Sequence, residues 1–225
     1  HFAATNWARD NLRREGVPRS RIVVTGNPVV DALRWSLRRL RGLPAPAGLP
    51  VIPRGHRMVL VTAHRRESFG APFEELCQAL RRLVERNPDV ELVYPVHPNP
   101  NVRRPVRAVL ARVPRVHLLP PLDYWSLLHL LSRCCFVLTD SGGIQEEAPA
   151  LGKPVLVMRE TTERPEGVRA GTARLVGTSG RRILRESERL LHDPVAYGQM
   201  ARAHNPFGDG KAAARIAATL ATALR

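Results

Sequence analysis

The chain is short of several things, and each shortage removes a class of protein. It has three cysteines in 225 residues, Cys77 and the adjacent pair Cys134-Cys135. They make neither a disulfide framework nor a CxxC metal pattern, so no metal site is expected and a reduced, cytoplasmic compartment fits best. No run approaches the roughly 18 apolar residues of a membrane-crossing helix, so no membrane partner is expected. The opening residues His1-Phe2-Ala3-Ala4-Thr5-Asn6 lack a basic region followed by an apolar one and do not read as a signal peptide. They also lack an initiator Met, and the chain is expected to start inside a longer protein. Lysine occurs only at Lys153 and Lys211, although the net charge is +15. The positive charge is therefore nearly all arginine, scattered through every segment. Aromatics make up 5% of the residues and no zinc-finger, RNP or KH signature accompanies the arginines. No nucleic-acid partner is expected; the bland reading is solvated helix faces in an Arg- and Pro-rich composition. Such a surplus still favours a polyanionic ligand.

What is present is an alternation of short apolar runs with longer amphipathic stretches, the pattern of an α/β domain with a parallel sheet. The pattern predicts strands over Arg21–Thr25, Met58–Thr62, Glu91–Tyr94, Val116–Leu118, Phe136–Thr139 and Pro154–Val157, with a weaker one at Ala173–Val176. Helices are expected over Pro28–Arg41, Pro72–Arg86, Asn101–Arg112, Tyr124–Arg133, Gly143–Leu151, Gly180–His192 and Lys211–Leu224, with a short one over Val195–Ala203. Most strands are continuous apolar runs, as expected when helices cover both faces of the sheet. The Pro/Gly-rich piece Gly42–Pro50 reads as a surface connection. The domain reading is accordingly a leading segment over 1–50, a Rossmann-like domain over 51–203, and a turn and helix over 204–225. No internal repeat is found.

In an open parallel sheet, ligands collect at the carboxyl ends of the strands, and four polar motifs stand there. Thr139-Asp140-Ser141-Gly142-Gly143 runs from a buried strand into a helix. Two glycines let a phosphate approach the backbone, and the free N–H groups of the helix start point at it. Ser141 adds a hydroxyl, and Glu147, one turn further on, can accept from ribose hydroxyls. The plainer alternative is a helix cap, for which Asp and Ser are good residues. His64-Arg65-Arg66-Glu67-Ser68 follows another strand; His64 can protonate or hydrogen-bond a departing phosphate near neutral pH, or the segment is only a solvent-facing loop. Tyr94-Pro95-Val96-His97-Pro98-Asn99-Pro100 is stiffened by three prolines and presents His97, a residue that in isolation is more often structural. Arg164, held before Pro165, can fork onto a phosphate or ribose, or pair internally with Glu163 or Glu166. Asn205–Gly210 reads as a structural turn. Each motif is ambiguous alone; four at successive strand ends converge on one cleft.

Taken in order and spacing, these segments, together with Thr162-Glu163-Arg164-Pro165-Glu166 and Gly26-Asn27-Pro28-Val29-Val30-Asp31, resemble the non-hydrolysing UDP-N-acetylglucosamine 2-epimerases over essentially the whole chain. The resemblance implies a Rossmann-like parallel sheet that is the C-terminal half of a glycosyltransferase-B-type two-domain fold. It implies interconversion of UDP-N-acetylglucosamine and UDP-N-acetylmannosamine by anti elimination of UDP and re-addition through a 2-acetamidoglucal, with no nicotinamide and no metal cofactor. Carried over by position, His64 is the catalytic contact near the diphosphate; Ser141, Gly142 and Gly143 hold the diphosphate, Glu147 the ribose, and Arg164 the nucleotide. In members regulated by a second UDP-N-acetylglucosamine, the positions of Arg65 and His97 help form the allosteric site. Some members place Gln and Phe near the uracil where this chain has Leu122 and Leu127, which implies apolar base contacts here. Pro28 stands where Thr is common, a change tolerated at a helix start. The family's catalytic carboxylates lie in a first domain of roughly 150 residues that this chain does not contain. The expectation is a UDP-sugar-binding half, inactive by itself, belonging to an enzyme that is a homodimer. A glycosyltransferase of the same fold and a non-catalytic nucleotide-binding module are the alternatives.

Overall fold

A computed structural model describes residues 1–223. Its centre is a six-stranded, wholly parallel sheet in the order β5-β4-β3-β6-β7-β8, built from β3 (Arg57–Thr62), β4 (Val90–Pro95), β5 (Val116–Leu119), β6 (Phe136–Thr139), β7 (Val155–Val157) and β8 (Ala173–Leu175). The chain starts in the middle at β3, winds outward through β4 and β5, then returns to the other side of β3 for β6, β7 and β8. This is the doubly wound Rossmann order, and the direction of winding reverses between β3 and β6. The strand ends flanking that reversal are in register, Thr62 opposite Thr139, and their hydroxyls are 2.6 Å apart.

The sheet sits between two apolar layers, as its continuous runs require. One holds α3 (Ala71–Arg86), α4 (Pro100–Leu110) and α8 (Gly180–His192), with Phe73, Leu76, Leu80, Leu83, Val102, Val106 and Ile183 buried against alternate residues of β3 and β4. In α3 these apolar positions fall at intervals of three and four, one face of a helix. The other layer packs Leu130, Leu131, Ile144 and Ala148, from α5 (Tyr124–Arg133) and α6 (Gly142–Ala150), on Met58, Leu60, Val137 and Val155. Caps set the helix starts: the Asp123 carboxylate accepts from the Ser126 N–H at 2.7 Å, and the Asn99 side chain accepts from the Asn101 N–H at 2.9 Å ahead of Pro100.

Outside the sheet the expected pattern needs correction. The strand read at Arg21–Thr25 shrinks to β2 (Val23–Val24), and it does not join the main sheet. It pairs in parallel with β1 (Phe2–Ala3), which together with α1 (Asn6–Arg14) was not foreseen. Arg19–Arg21 is a single 3-10 turn instead. α1 has no fully buried residue, so it carries no apolar stripe for a periodicity reading to find. A short helix, α7 (Pro165–Ala170), was also missed because six residues hold less than two turns. Helix α2 (Pro28–Leu40) starts at Pro28 as expected, capped by Asn27, whose side chain accepts from the Val29 N–H at 3.1 Å. No helix or strand forms between Leu40 and Arg57. After α9 (Pro194–Ala201), the terminal helix α10 spans Ala212–Ala223; Leu224 of the expected helix lies outside the described residues.

The two segments that flank the sheet domain meet each other. The turn over 205–210 lies on the loop before α2: the Asn27 N–H donates to the Phe207 carbonyl at 2.7 Å. A Cβ added to Gly26 would stand 3.3 Å from the Gly208 Cα. Both glycines have positive φ, 86° and 133°. Only residues without a side chain fit such a backbone-to-backbone approach.

Candidate functional site

The crevice outside the β3 and β6 carboxyl ends holds the chemistry. A cavity of about 340 Å³ opens there, lined by Thr62, Ala63 and His64 after β3, Pro95 and His97 after β4, Pro121, Leu122 and Leu127 around the start of α5, and Ser141 and Ile144 at the start of α6. One wall is thus apolar and the other polar. The buried phenol of Tyr94 donates to the Ala63 carbonyl at 2.8 Å and pins the end of β3. The imidazoles of His64 and His97 are stacked, centroids 5.4 Å apart and planes within 14°. His97 Nδ1 accepts from the Asn99 backbone N–H at 3.2 Å. Two motifs read independently from the sequence therefore form one histidine pair in one cavity.

The β6–α6 turn differs from a simple cap. Ser141 occupies the N-cap position, yet its side chain makes no cap hydrogen bond. Asp140 does not cap α6 either. Its carboxylate crosses to the neighbouring strand end, where Oδ2 accepts the backbone N–H groups of His64 at 2.6 Å and Arg65 at 2.7 Å. The first turn of α6 is left without the side-chain acceptor that helix starts usually recruit. Such an end, beside two glycines, is suited to an anion. Asp140 was grouped with the anion-binding turn in the sequence; its side chain instead ties β6 to β3.

What now stands over α6 is Glu163. A Cβ on Gly142 would lie 2.8 Å from Glu163 Oε1. That carboxylate is paired with Arg65 Nη2 at 2.9 Å and with Arg159; burial pushes it up, but its own backbone N–H, then Arg159 and Arg65, outweigh burial and hold it below the usual carboxylate range. Arg65 also reaches the Asp140 carbonyl through Nε at 3.3 Å. Gly143 is exposed beside it.

Arg164 and Glu147 lie around α6 rather than in the histidine cavity. Arg164 borders a second cavity of about 320 Å³, with Thr5, Trp7, Asn27, Glu146 and Glu163 among its lining. Its guanidinium pairs through Nε with Glu146, whose other oxygen accepts from Asn27 Nδ2 at 2.7 Å. The internal partner is therefore Glu146, not Glu163 or Glu166 as the sequence alternatives had it. Glu166 accepts instead from the Thr5 hydroxyl at 2.6 Å. Glu147 is half-buried one turn into α6; burial first, and the adjacent Glu146 carboxylate second, push its carboxyl up to about 7. The phenol of Tyr124 is pushed up to about 12 by burial and by Glu147.

The sequence missed Asp140's direction, Glu146 and Glu163. All three are acidic residues on segments already flagged, but most of their partners come from distant loops, and nothing local announces a contact across 76 positions such as His64 to Asp140. Among the described residues no cluster of His, Cys, Asp or Glu has the arrangement of a metal site, and no helix is long and apolar enough to cross a membrane. Cys77 and Cys134 are buried thiols, pushed up to about 12 by that burial.

A Rossmann-ordered sheet with an uncapped, glycine-bearing helix start and a histidine pair at its reversal point defines a doubly wound α/β domain of the Rossmann-like class. The comparisons give the family. The UDP-N-acetylglucosamine 2-epimerase family model matches residues 1–221, and the chain belongs to that family. It is 55% identical over 221 residues to the UDP-N-acetylglucosamine 2-epimerase of Salmonella typhimurium, covering 96% of this chain and 59% of the relative. The crystal structure of a UDP-GlcNAc 2-epimerase from Neisseria meningitidis bound to UDP-GlcNAc superposes with a TM-score of 0.94 at 42% identity, over 99% of this chain and 61% of that one. An enzyme from Methanocaldococcus jannaschii, solved with UDP-GlcNAc and UDP, superposes with a TM-score of 0.81 at 28% identity, over 98% of this chain and 60% of that one. The chain thus spans about three-fifths of the length of these relatives.

Proposed function

We propose that this chain is the UDP-binding half of a UDP-N-acetylglucosamine 2-epimerase, a cytoplasmic enzyme that interconverts UDP-N-acetylglucosamine and UDP-N-acetylmannosamine. The observation that carries the proposal is the uncapped α6 start facing His64 at the sheet's reversal point, within an apolar-walled cavity. In this reading the uracil lies against Leu122, Leu127 and Ile144, an apolar pocket that rejects solvent and accepts a flat base. The diphosphate lies on the first turn of α6, where Ser141 donates its hydroxyl and Gly142 and Gly143 let the phosphate reach the backbone. Glu147 accepts from the ribose hydroxyls. Arg164 completes the nucleotide contacts, and Arg65 and His97 belong to the edge where a second UDP-sugar would dock.

The division of labour follows. Elimination of UDP breaks the C1–O bond, and the electron pair leaves with the diphosphate. Charge on the departing oxygen is stabilised by the helix start and by His64, which donates a hydrogen bond or a proton there. The base that moves the C2 proton belongs to the remaining two-fifths of the relatives' length, in the first domain of a glycosyltransferase-B-type pair; re-addition of UDP at C1, with a proton delivered to the opposite face of C2, completes the inversion. No cofactor enters this cycle. A homodimer is the expected assembly.

Two measurements test the proposal. The full-length protein, incubated with UDP-N-acetylglucosamine in deuterated water, forms UDP-N-acetylmannosamine with deuterium at C2. Transfer of the sugar to an acceptor, with no inversion, would replace the proposal with a glycosyltransferase. The 225-residue chain alone exchanges no C2 proton; exchange by it would show that the base lies within these residues.

A further inference from the structure

We infer that Asp140 is a positioning residue for His64: its buried carboxylate holds the proton on Nδ1, so that Nε2 is the nitrogen turned to the diphosphate and, in the imidazolium form, the one that donates to it. The inference rests on the functional reading above for its catalytic part and on geometry alone for the tautomer.

Asp140 is 2% exposed, at the carboxyl end of β6. Its two oxygens have different tasks. Oδ2 is satisfied by two backbone donors, the N–H groups of His64 and Arg65. Oδ1 is buried, with no aligned hydrogen-bond donor among the described residues, and His64 Nδ1 stands 3.2 Å away. A buried carboxylate oxygen without a donor is costly, and the one ionisable nitrogen in reach relieves it by presenting a proton. The contact is within bonding distance without being aligned; hydrogen bonds of this kind commonly straighten when substrate fills the site. The same residue therefore holds the backbone that carries His64 and selects which ring nitrogen is protonated. Fixing a tautomer through the second ring nitrogen is the general way that a carboxylate tunes a histidine.

The surroundings allow little else. The Thr62–Thr139 hydroxyl contact keeps β3 and β6 in register beneath the pair. The Tyr94 phenol holds the Ala63 carbonyl. The His97 ring stacks on the His64 face, so the imidazole is flanked on its face and held at its Nδ1 edge. Its remaining nitrogen, Nε2, is the one available to the cavity.

The inference separates Asp140 from a residue that merely stabilises the turn. In the full-length enzyme, Asp140→Asn keeps an acceptor for the two backbone donors and removes the charge. The inference predicts a kcat at least tenfold lower, with KM within twofold of the parent. In a His64→Asn background, adding Asp140→Asn causes no further loss of kcat. A second measurement uses the unsubstituted 225-residue chain: nitrogen-15 NMR of its histidines at a pH where the ring is neutral, with His64 assigned by its absence in His64→Asn. Proton at Nδ1 is expected, and this readout stands even where Asp140→Asn fails to fold. Proton at Nε2, or an equal loss from Asp140→Asn with and without His64, would overturn the inference. Failure of the epimerase reading would be seen differently, as no C2 inversion by the unsubstituted full-length protein.

Discussion

At the scale of single residues, Glu147 carries the sharpest consequence. Burial beside Glu146 holds its carboxyl near 7, against an ordinary value near 4.5. A raised value means that the folded state favours the protonated form. The stability this contributes is fully present below the ordinary range and is lost as pH rises through about 7. In the proposed binding mode ligand affinity runs the other way, because an ionised carboxylate is the stronger acceptor for the ribose hydroxyls assigned to it. UDP-N-acetylglucosamine is therefore expected to bind the chain severalfold more tightly at pH 8 than at pH 6, and Glu147→Gln to flatten that difference while raising Kd about tenfold. Calorimetric titration at the two pH values checks both. Ser141 is argued similarly: its hydroxyl makes no cap bond and is free for a phosphate. Ser141→Ala should cost about 1 kcal/mol of UDP affinity, the usual worth of one hydrogen bond, with the thermal midpoint unchanged.

At the scale of elements, the loop over 159–164 and the start of α6 compete for one place. Glu163 lies over Gly142, held by Arg65 and Arg159, where a diphosphate would sit. Its side chain is 38% exposed, and it must swing aside to admit a larger anion. Glu163→Gln is expected to tighten UDP severalfold, since it removes a competing negative charge and frees Arg65. Gly142→Ala acts oppositely: the flexible end of Glu163 can yield to the new methyl, so folding is barely affected, but the methyl fills the diphosphate's approach and raises Kd at least tenfold. Paired titrations of the two variants test these opposite signs. Elements like α6 were legible because a continuous apolar strand runs through a polar turn and two glycines into a short helix-length segment. Helix α1 was not, since its few apolar residues, Trp7, Ala8 and Leu12, make no buried stripe, and β1 was not, since two residues carry no period. Strand Val23–Val24 was legible as a strand but not as a member of a separate sheet; its partner, Phe2–Ala3, is set by chain geometry rather than by local propensity. For the site, each motif's position was legible and its partners were not. Arg164 gave no sign that Glu146 was its counter-ion, and Asp140 gave none that it would serve β3 rather than α6.

At the scale of the whole molecule, the six strands and two apolar layers account for the sheet domain, and the segments before and after them are tied together. Gly26 and Gly208 meet backbone to backbone with positive φ, and Arg215 holds Asp209 through two oxygens at 2.7 and 2.8 Å. Gly208→Ala is expected to destabilise the fold by about 1–3 kcal/mol, from backbone strain at that φ together with the close contact. Chemical denaturation would show it as a lower midpoint with an unchanged slope. The central claim is that this chain by itself grips UDP through the α6 start. Isothermal titration of UDP into the 225-residue chain tests it most directly. One site per chain, weakened by both Ser141→Ala and Gly142→Ala, is the predicted result; no heat at millimolar UDP, or binding indifferent to both substitutions, would contradict it.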